Sequence, residues 1–172
     1  MATIYNIKDL PKLADREIFV DANVLIYLNW SSGSAQSMKW EVEYAELFSK
    51  LKHQSNQLCI DFLVVSEVVN RMFKTEWKKR FSHIDNYKHF RDSVEGRQAL
   101  TDIYLVVEEQ VLSQFNVVGK VFSKDDIVNF FTIDTLDFMD KGIADICKEN
   151  NYVLLTNDKD YQCADIEILT CL

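Results

Sequence analysis

Short apolar runs of strand length, separated by long stretches with helical periodicity, are the feature that most constrains the fold of this chain. The four clearest runs are EIFVD (17–21), QLCI (57–60), YVLL (152–155) and IEIL (166–169). Between them, segments such as MKWEVEYAELFSKLKH (38–53) repeat apolar residues every three or four positions, which predicts amphipathic helices. Strands that alternate with helices predict a parallel sheet covered by helices on both faces.

We therefore expect an α/β protein with a three-layer α/β/α fold. Its central sheet is predicted to be mainly parallel, with about four to five strands. A chain of 172 residues is long enough for one domain with a core and short for two, so residues 1–172 are predicted to form a single domain. The stretch 75–125 is predicted to add a helical elaboration, and SSGSAQS (31–37) is predicted to be a loop.

Charge, cysteines and hydropathy limit the classes of protein to which this chain can belong. A formal net charge of −8 argues against a protein that coats nucleic acid, because such proteins are usually basic. It is compatible with an enzyme that meets phosphates through metal ions. The four cysteines contain no CxxC pair and are predicted to be free thiols. No apolar run has the length of a membrane span and the N-terminus does not resemble a signal peptide, so we expect a cytoplasmic protein without membrane contact.

Four acidic side chains are predicted to converge at one edge of this sheet. Asp21 ends the first apolar run and Asp158 follows the third, and ligands of parallel sheets bind at the carboxyl ends of strands. Glu67 lies in the helix after the second run, and Asp140 lies in the first turn of the helix before the third. Four neighbouring carboxylates repel one another unless cations compensate them. Because Mg²⁺ and Mn²⁺ prefer hard oxygen ligands, the pattern predicts a Mg²⁺ or Mn²⁺ site.

Each of these acids also has a structural interpretation. Asp21 can cap the helix that follows it, and Asp158 lies in TNDKD, which is favourable turn sequence. Glu67 can belong to a solvated helix face, and Asp140 can stabilise the helix dipole. Their joint placement at one edge favours the functional interpretation.

Three segments together resemble the PIN-domain nucleases, close to the VapC-type toxins of toxin–antitoxin pairs. They are FVDANVLIYL (19–28), LVVSEVVNR (63–71) and DKGIADICKENNYVLLTNDKDY (140–161). The resemblance implies that the catalytic and metal-binding residues are Asp21, Glu67, Asp140 and Asp158, and that the supporting residues are Asn23, Thr156 and Asp160. It also implies an endoribonuclease that leaves 5′-phosphate and 3′-hydroxyl ends, acts as the toxin of an antitoxin partner, and forms a homodimer.

The middle of the chain departs from the compact members of that family, because the stretch between Glu67 and Asp140 is longer. Residues 71–91 contain seven basic residues, two acidic residues and several interleaved aromatic rings. This composition is typical of an RNA-binding arm and equally of an amphipathic helix with packed rings. Arg71 and Lys74 are the candidate substrate-binding residues, and Arg71 can either contact the scissile phosphate or orient Glu67.

Other classes of protein compete with the nuclease interpretation. A phosphatase with an aspartyl nucleophile is expected to carry Asp-x-Asp, whereas this chain has Asp21-Ala22-Asn23. A receiver-like phosphoacceptor needs an early pair of acids and a lysine after a late strand, an arrangement that this chain does not supply. A catalytically weak PIN-fold protein that binds RNA or acts as a scaffold, and a stand-alone RNA-processing nuclease, both stay open. An adjacent antitoxin reading frame would discriminate a toxin from the stand-alone enzyme.

Overall fold

A six-stranded sheet, parallel throughout, forms the centre of the molecule. The computed structural model describes residues 2–30 and 35–171. Its strands are β1 (Thr3–Tyr5), β2 (Ile18–Val20), β3 (Leu58–Ile60), β4 (Asn116–Val117), β5 (Val153–Leu155) and β6 (Glu167–Leu169). They lie in the order β1-β6-β5-β2-β3-β4, and all five neighbouring pairs are parallel.

The four predicted strands are the four inner strands of this sheet, and the two edge strands are the ones that the sequence pattern missed. Every residue of β2, β3 and β5 is buried, so these strands are continuous apolar runs. By contrast, β4 is exposed and only two residues long, and β1 is mostly exposed. An edge strand that packs few side chains against the core leaves no hydrophobic signal to detect.

Helices cover the sheet and confirm the predicted three-layer α/β/α class. They are α1 (Ala22–Asn29), α2 (Ala35–His53), α3 (Phe62–Arg80), α4 (Tyr87–Asp92), α5 (Val94–Val106), α6 (Lys124–Asn129) and α7 (Phe138–Asn150). A π-helical turn (Val107–Leu112) continues α5, and 3₁₀ turns span Ile7–Leu13 and Asp160–Cys163. The loop predicted at 31–37 is already helical from Ala35, and residues 31–34 lie outside the described residues.

Acidic caps begin three of the helices. Asp21 accepts the backbone N–H of Ala22 at the start of α1, and Asp61 accepts that of Val64 at the start of α3. Asp137 caps α7 through two backbone N–H groups. An acceptor at this position satisfies backbone donors that the first helical turn leaves unpaired. Asp21 and Asp61 each follow an inner strand directly, so apolar run, acid and helix form a repeated local unit.

Aromatic rings in the predicted basic arm pack against one another. Phe90 is fully buried, and its ring stacks on Phe73 at 4.9 Å and on Phe81 at 5.1 Å between centroids. Trp77 lies 5.6 Å from Tyr87, and its indole N–H donates to the carbonyl of Ile84 at 3.1 Å. These rings hold α4 against α3, which supports the interpretation as a packed amphipathic helix.

The sheet order places a crevice between β2 and β5. The chain continues from β2 to β3 on one side, whereas it continues from β5 to β6 on the other. At such a reversal the two connections diverge, and the carboxyl ends of the two neighbouring strands border an open space where ligands of α/β proteins bind. Asp21 and Thr156 directly follow these two strands.

The described part of the chain also bears on two further expectations. All four cysteines are free, with Cys59 and Cys147 buried. None of the helices within residues 2–30 and 35–171 is both long enough and apolar enough to cross a bilayer.

Candidate functional site

Asp21 is a buried carboxyl group held by three donors at the crevice between β2 and β5. It is 4% exposed. Oδ2 accepts the hydroxyl of Thr156 at 2.6 Å and the amide of Asn23 at 2.7 Å, and Oδ1 accepts the backbone N–H of Ala22 at 2.6 Å. Burying a carboxylate is costly unless donors satisfy it. These donors therefore explain how an apolar run tolerates one acid in its middle.

Thr156 and Asn23 connect Asp21 to the loop that carries Asp158. The hydroxyl oxygen of Thr156 accepts the backbone N–H of Asp158 at 3.0 Å, and Asn23 Oδ1 accepts that of Asn157 at 3.2 Å. Asp160 is exposed and contributes its backbone N–H to Asp158 Oδ1 at 2.9 Å. The side chains of Thr156 and Asn23 thus fix the loop after β5 relative to the end of β2.

Tyr44 secures the same loop from α2. Its buried hydroxyl lies 2.9 Å from the carbonyl oxygen of Thr156 and 3.2 Å from Asn157 Oδ1. The sequence pattern identified Tyr44 only as part of an apolar helix face. Its polar role depends on a contact 112 residues away, which periodicity along one helix does not reveal.

Asp140 is positioned by a tyrosine that sequence reasoning missed. The hydroxyl of Tyr161 donates to Asp140 Oδ1 at 2.7 Å, and Tyr161 is fully buried. The signal in the sequence was an aromatic residue after TNDKD, but an aromatic residue there also fits simple core packing. A buried phenol needs a partner for its O–H, and the half-buried Asp140 supplies it.

Glu67 lies on α3 with its carboxylate paired to Arg71. Arg71 Nη1 is 3.0 Å from Glu67 Oε1, and the Glu67 side chain is 22% exposed. Lys74 lies farther along α3, is exposed, and makes no contact with the carboxylates in the described structure. Arg71 therefore lies beside Glu67, and Lys74 lies about one helical turn farther along α3.

The four candidate acids influence one another electrostatically. Burial raises the pKa of Asp21 from 3.8 to about 7, and the negative charges of Glu67 and Asp140 add to this increase. Burial likewise raises the pKa of Asp140 to about 6, with contributions from the charges of Asp137, Asp158 and Glu67. Like charges raise a carboxyl pKa only when they lie nearby. The charges of Glu67 and Asp140 therefore act on Asp21, and those of Glu67 and Asp158 act on Asp140, although the four acids come from four separate segments.

This group of acids fits a divalent cation that keeps much of its water. Within residues 2–30 and 35–171, no three His, Cys, Asp or Glu side chains lie close enough to enclose a metal ion. Mg²⁺ commonly binds through only one or two carboxylates and retains several waters. The donor set is hard oxygen, and a cation would relieve the repulsion that raises the pKa of Asp21 and Asp140. The residues suit an open, hydrated site better than a closed cage.

Comparison with solved structures shows the fold that this chain shares. The crystal structure of PAE2754 from Pyrobaculum aerophilum is similar with a TM-score of 0.52 and 20% identity, covering 90% of each chain. That of FitAcB from Neisseria gonorrhoeae has a TM-score of 0.51 and 13% identity, over 88% of this chain and 96% of the other. That of VapBC2 from Rickettsia felis, bound to a DNA fragment from their promoter, has a TM-score of 0.50 and 15% identity over the same shares.

The predicted membership of the PIN-domain family, among the VapC-type toxins, is wrong as an assignment of family. No family model and no curated protein matches the chain, and structural neighbours at 13–20% identity show a shared fold alone. The physical reason lies in the motif that carried the resemblance. An apolar strand, an acid and a helix recur at Asp61 because the acid caps the helix, so much of that motif is local α/β geometry.

Proposed function

We propose that this chain is a metal-dependent nuclease that hydrolyses RNA phosphodiester bonds at the crevice between β2 and β5. The observation that carries the proposal is the acidic group at this crevice, where burial raises the pKa of Asp21 and of Asp140 and the charges of neighbouring acids add to both increases. A shared negative region at a topological switch point suits the binding of Mg²⁺ or Mn²⁺ and, through it, of a phosphate. The chemistry of the group supports metal-dependent phosphodiester hydrolysis, and RNA as the substrate is the expectation that the sequence resemblance gave.

One or two of these carboxylates would hold the cation, and their neighbours would set their orientation. Thr156 and Asn23 fix Asp21 through its Oδ2 atom, and Tyr161 fixes Asp140. A divalent cation supplies Lewis acidity, which makes a water molecule nucleophilic near neutral pH and offsets charge on the phosphate. The chain's own contribution is to keep the carboxylates in place before the substrate arrives.

Arg71 is the residue that we assign to the scissile phosphate. Its guanidinium group lies 3.0 Å from Glu67 and its side chain is 51% exposed, so donors are left for a second anionic partner. A planar guanidinium binds phosphate oxygens in pairs. Arg71 would thus orient Glu67 and position the phosphate for in-line attack, with the 3′-oxygen as the leaving group.

The decisive experiment is cleavage of a mixed RNA pool by the purified protein in Mg²⁺, in Mn²⁺ and in chelator. Asp21→Asn keeps the shape of the side chain and removes its charge, so we expect metal-dependent cutting to be lost. Asp61→Asn is the matched control, because Asp61 is also a buried capping acid after an inner strand but lies outside the acidic group. It should retain cutting, and circular dichroism should show that both variants are folded.

A second readout tests the cation directly. If the carboxylates bind Mn²⁺, the ion should raise the melting temperature of the wild type and of Asp61→Asn by mass action, and raise that of Asp21→Asn less. Equal cutting by wild type and Asp21→Asn would contradict the assigned site. Absence of both cutting and a thermal shift would instead favour the RNA-binding or scaffold alternative.

We further propose that a small partner protein restrains this nuclease, as the toxin of a toxin–antitoxin pair is restrained. Support comes from the similar folds of the VapBC2 and FitAcB structures. Induced expression of the wild type alone should arrest growth, whereas Asp21→Asn should not. Co-expression of a small neighbouring reading frame should restore growth and co-purify with the chain. Growth unaffected by the active wild type would favour a stand-alone RNA-processing role.

A further inference from the structure

A line of basic side chains runs along α3 away from the acidic group. Arg71, Lys74 and Lys78 follow Glu67 at spacings of four, three and four residues. Such spacings keep side chains on one face of a helix. All three basic side chains are exposed, whereas Val68 and Met72 point into the core. We call Arg71, Lys74 and Lys78 the α3 stripe.

The ionic partners of the α3 stripe distinguish it from the other helices. On α2, Lys39 and Lys50 each pair with a glutamate one turn away. On α3, in the described structure, the ion pairs join Arg71 to Glu67 and Arg80 to Glu76, and none includes Lys74 or Lys78. In a chain with 27 acidic and 19 basic residues, two adjacent lysines without an acidic neighbour leave a local positive potential.

The dimensions of the α3 stripe suit one strand of nucleic acid. Arg71 and Lys78 are seven residues apart, which is roughly 10 Å along the helix axis. That distance corresponds to about three nucleotides of a stacked strand at roughly 3.4 Å each. The stripe is one side chain wide, so it can follow a single backbone, whereas a duplex presents two backbones across a groove.

We propose that the α3 stripe binds the phosphates of single-stranded RNA next to the scissile bond. The inference rests on the proposed nuclease function, because it takes the acidic group as the point where the strand is cut. Arg71 contacts the phosphate at the carboxylates, and Lys74 and Lys78 contact successive phosphates to one side. Phosphate contacts carry no sequence information, so binding through the stripe depends on phosphate charge and carries little sequence preference.

Salt dependence of binding tests the α3 stripe without requiring catalysis. The probe is a fluorescein-labelled oligouridylate of about twelve nucleotides, a length within the range that single-strand binding sites cover. Anisotropy is measured in EDTA, to prevent hydrolysis, over a series of NaCl concentrations. For Lys74→Gln/Lys78→Gln we expect weaker binding and a slope of log K against log salt that is shallower by about 1.4, since each phosphate contact on a single strand contributes about 0.7.

The matched control is Lys8→Gln/Lys124→Gln, which removes two exposed lysines from other parts of the chain. It should keep the wild-type slope. Equal slopes for the stripe variant and the wild type, an equal change in the control, or no binding of the probe by the wild type at low salt would each overturn the inference.

Cleavage of the same probe in Mn²⁺ separates this inference from the proposed function. A wild type that binds through the stripe but never cuts would overturn the nuclease and leave the stripe as an RNA-binding surface. If the wild type cuts the probe and Lys74→Gln/Lys78→Gln keeps the wild-type salt slope, only the RNA-binding role of the α3 stripe is overturned. Double-stranded RNA of the same length should compete only weakly with the probe for binding. Strong competition would contradict a single-stranded ligand.

Discussion

Asp21 caps α1 and faces the crevice with the same carboxyl group. One oxygen accepts the N–H of Ala22, and the other accepts Thr156 and Asn23. Capping and site formation are therefore compatible. The capping interpretation of this residue is confirmed, and its functional interpretation stays a prediction. The places of Asp21, Asp140 and Asp158 were readable from the sequence, because each follows a strand or lies in the first turn of a helix. The partners Tyr44 and Tyr161 were not, because their hydroxyls reach residues brought near only by folding.

The raised pKa of Asp21 predicts how stability depends on pH. The folded chain holds this proton up to about pH 7, whereas the unfolded chain releases it near 3.8, so folding takes up a proton in that window. The free energy of unfolding should therefore fall as pH rises from about 4 to 7, by roughly 1.4 kcal/mol for each unit of pKa shift at most. Asp140 should add a smaller fall that ends near its pKa of about 6.

Asp21→Asn should flatten this dependence, because it removes the titrating group. Urea unfolding at pH 5 and pH 8 in EDTA measures the effect, with Asp85→Asn as an exposed control. The wild type and Asp85→Asn should lose stability between these pH values, and Asp21→Asn should lose less. Parallel pH curves for wild type and Asp21→Asn would contradict the burial of a protonated Asp21.

Tyr161→Phe should shift the acid limb of activity. The Tyr161 hydroxyl bonds to the carboxylate of Asp140 and lowers its pKa, so removing it should raise that pKa above about 6. The ratio of cleavage at pH 6 to cleavage at pH 8 should fall several-fold, with a stability cost of about 1 kcal/mol for the lost hydrogen bond. Tyr152→Phe is the control, because Tyr152 is buried against Phe19 at 6.2 Å. An unchanged pH profile in Tyr161→Phe would remove its positioning role.

Secondary-structure elements were predictable from sequence to the extent that they are buried on the sheet. The four inner strands are apolar throughout, except for Glu167 at the start of β6, and all four were predicted. The two edge strands escaped because they bury little, and the start of α2 escaped because SSGSAQS reads as a loop. Local composition indicates how much of a strand is exposed to solvent. The pairing of an edge strand depends instead on backbone hydrogen bonds, which place little constraint on the side chains.

Gly96 lets α5 approach the backbone of α4 closely. A Cβ atom at this position would lie 1.9 Å from the carbonyl oxygen of Phe90, which belongs to the α4 backbone. Gly96→Ala should therefore lower stability by roughly 1–3 kcal/mol or more. Helix propensity acts in the opposite direction, because alanine is favoured by about 1 kcal/mol within a helix.

Thermal unfolding of Gly96→Ala shows whether the steric clash or the helix propensity of alanine dominates. Gly119→Ala is the control, because a Cβ atom there meets nothing within 4 Å. We expect a melting temperature several degrees lower for Gly96→Ala than for Gly119→Ala. A Gly96→Ala protein as stable as the wild type would show that α4 and α5 can separate without cost.

The whole molecule is expected to form a homodimer, which stays a prediction from the sequence. Met38 and Val42 lie one turn apart on α2 and are 55% and 69% exposed, so they offer an apolar surface for a second copy. Light scattering of the wild type should give twice the chain mass of 20.1 kDa, whereas Met38→Glu/Val42→Glu should give the mass of a single chain. Ile133→Glu, at an exposed position elsewhere, should stay dimeric. A monomeric wild type would contradict the expectation.

The parallel pairing of β2 with β5 also sets when the site can exist during synthesis. Asp21 leaves the ribosome early, but its partner Thr156 follows 135 residues later. At about 5–20 residues per second, roughly 7 to 27 seconds of translation separate the two. Until β5 arrives, β2 has no neighbour on that side, and the acids stay apart in water. A ribosome-bound chain therefore holds no assembled site, so any RNA cleavage would begin only once the last strands have been made.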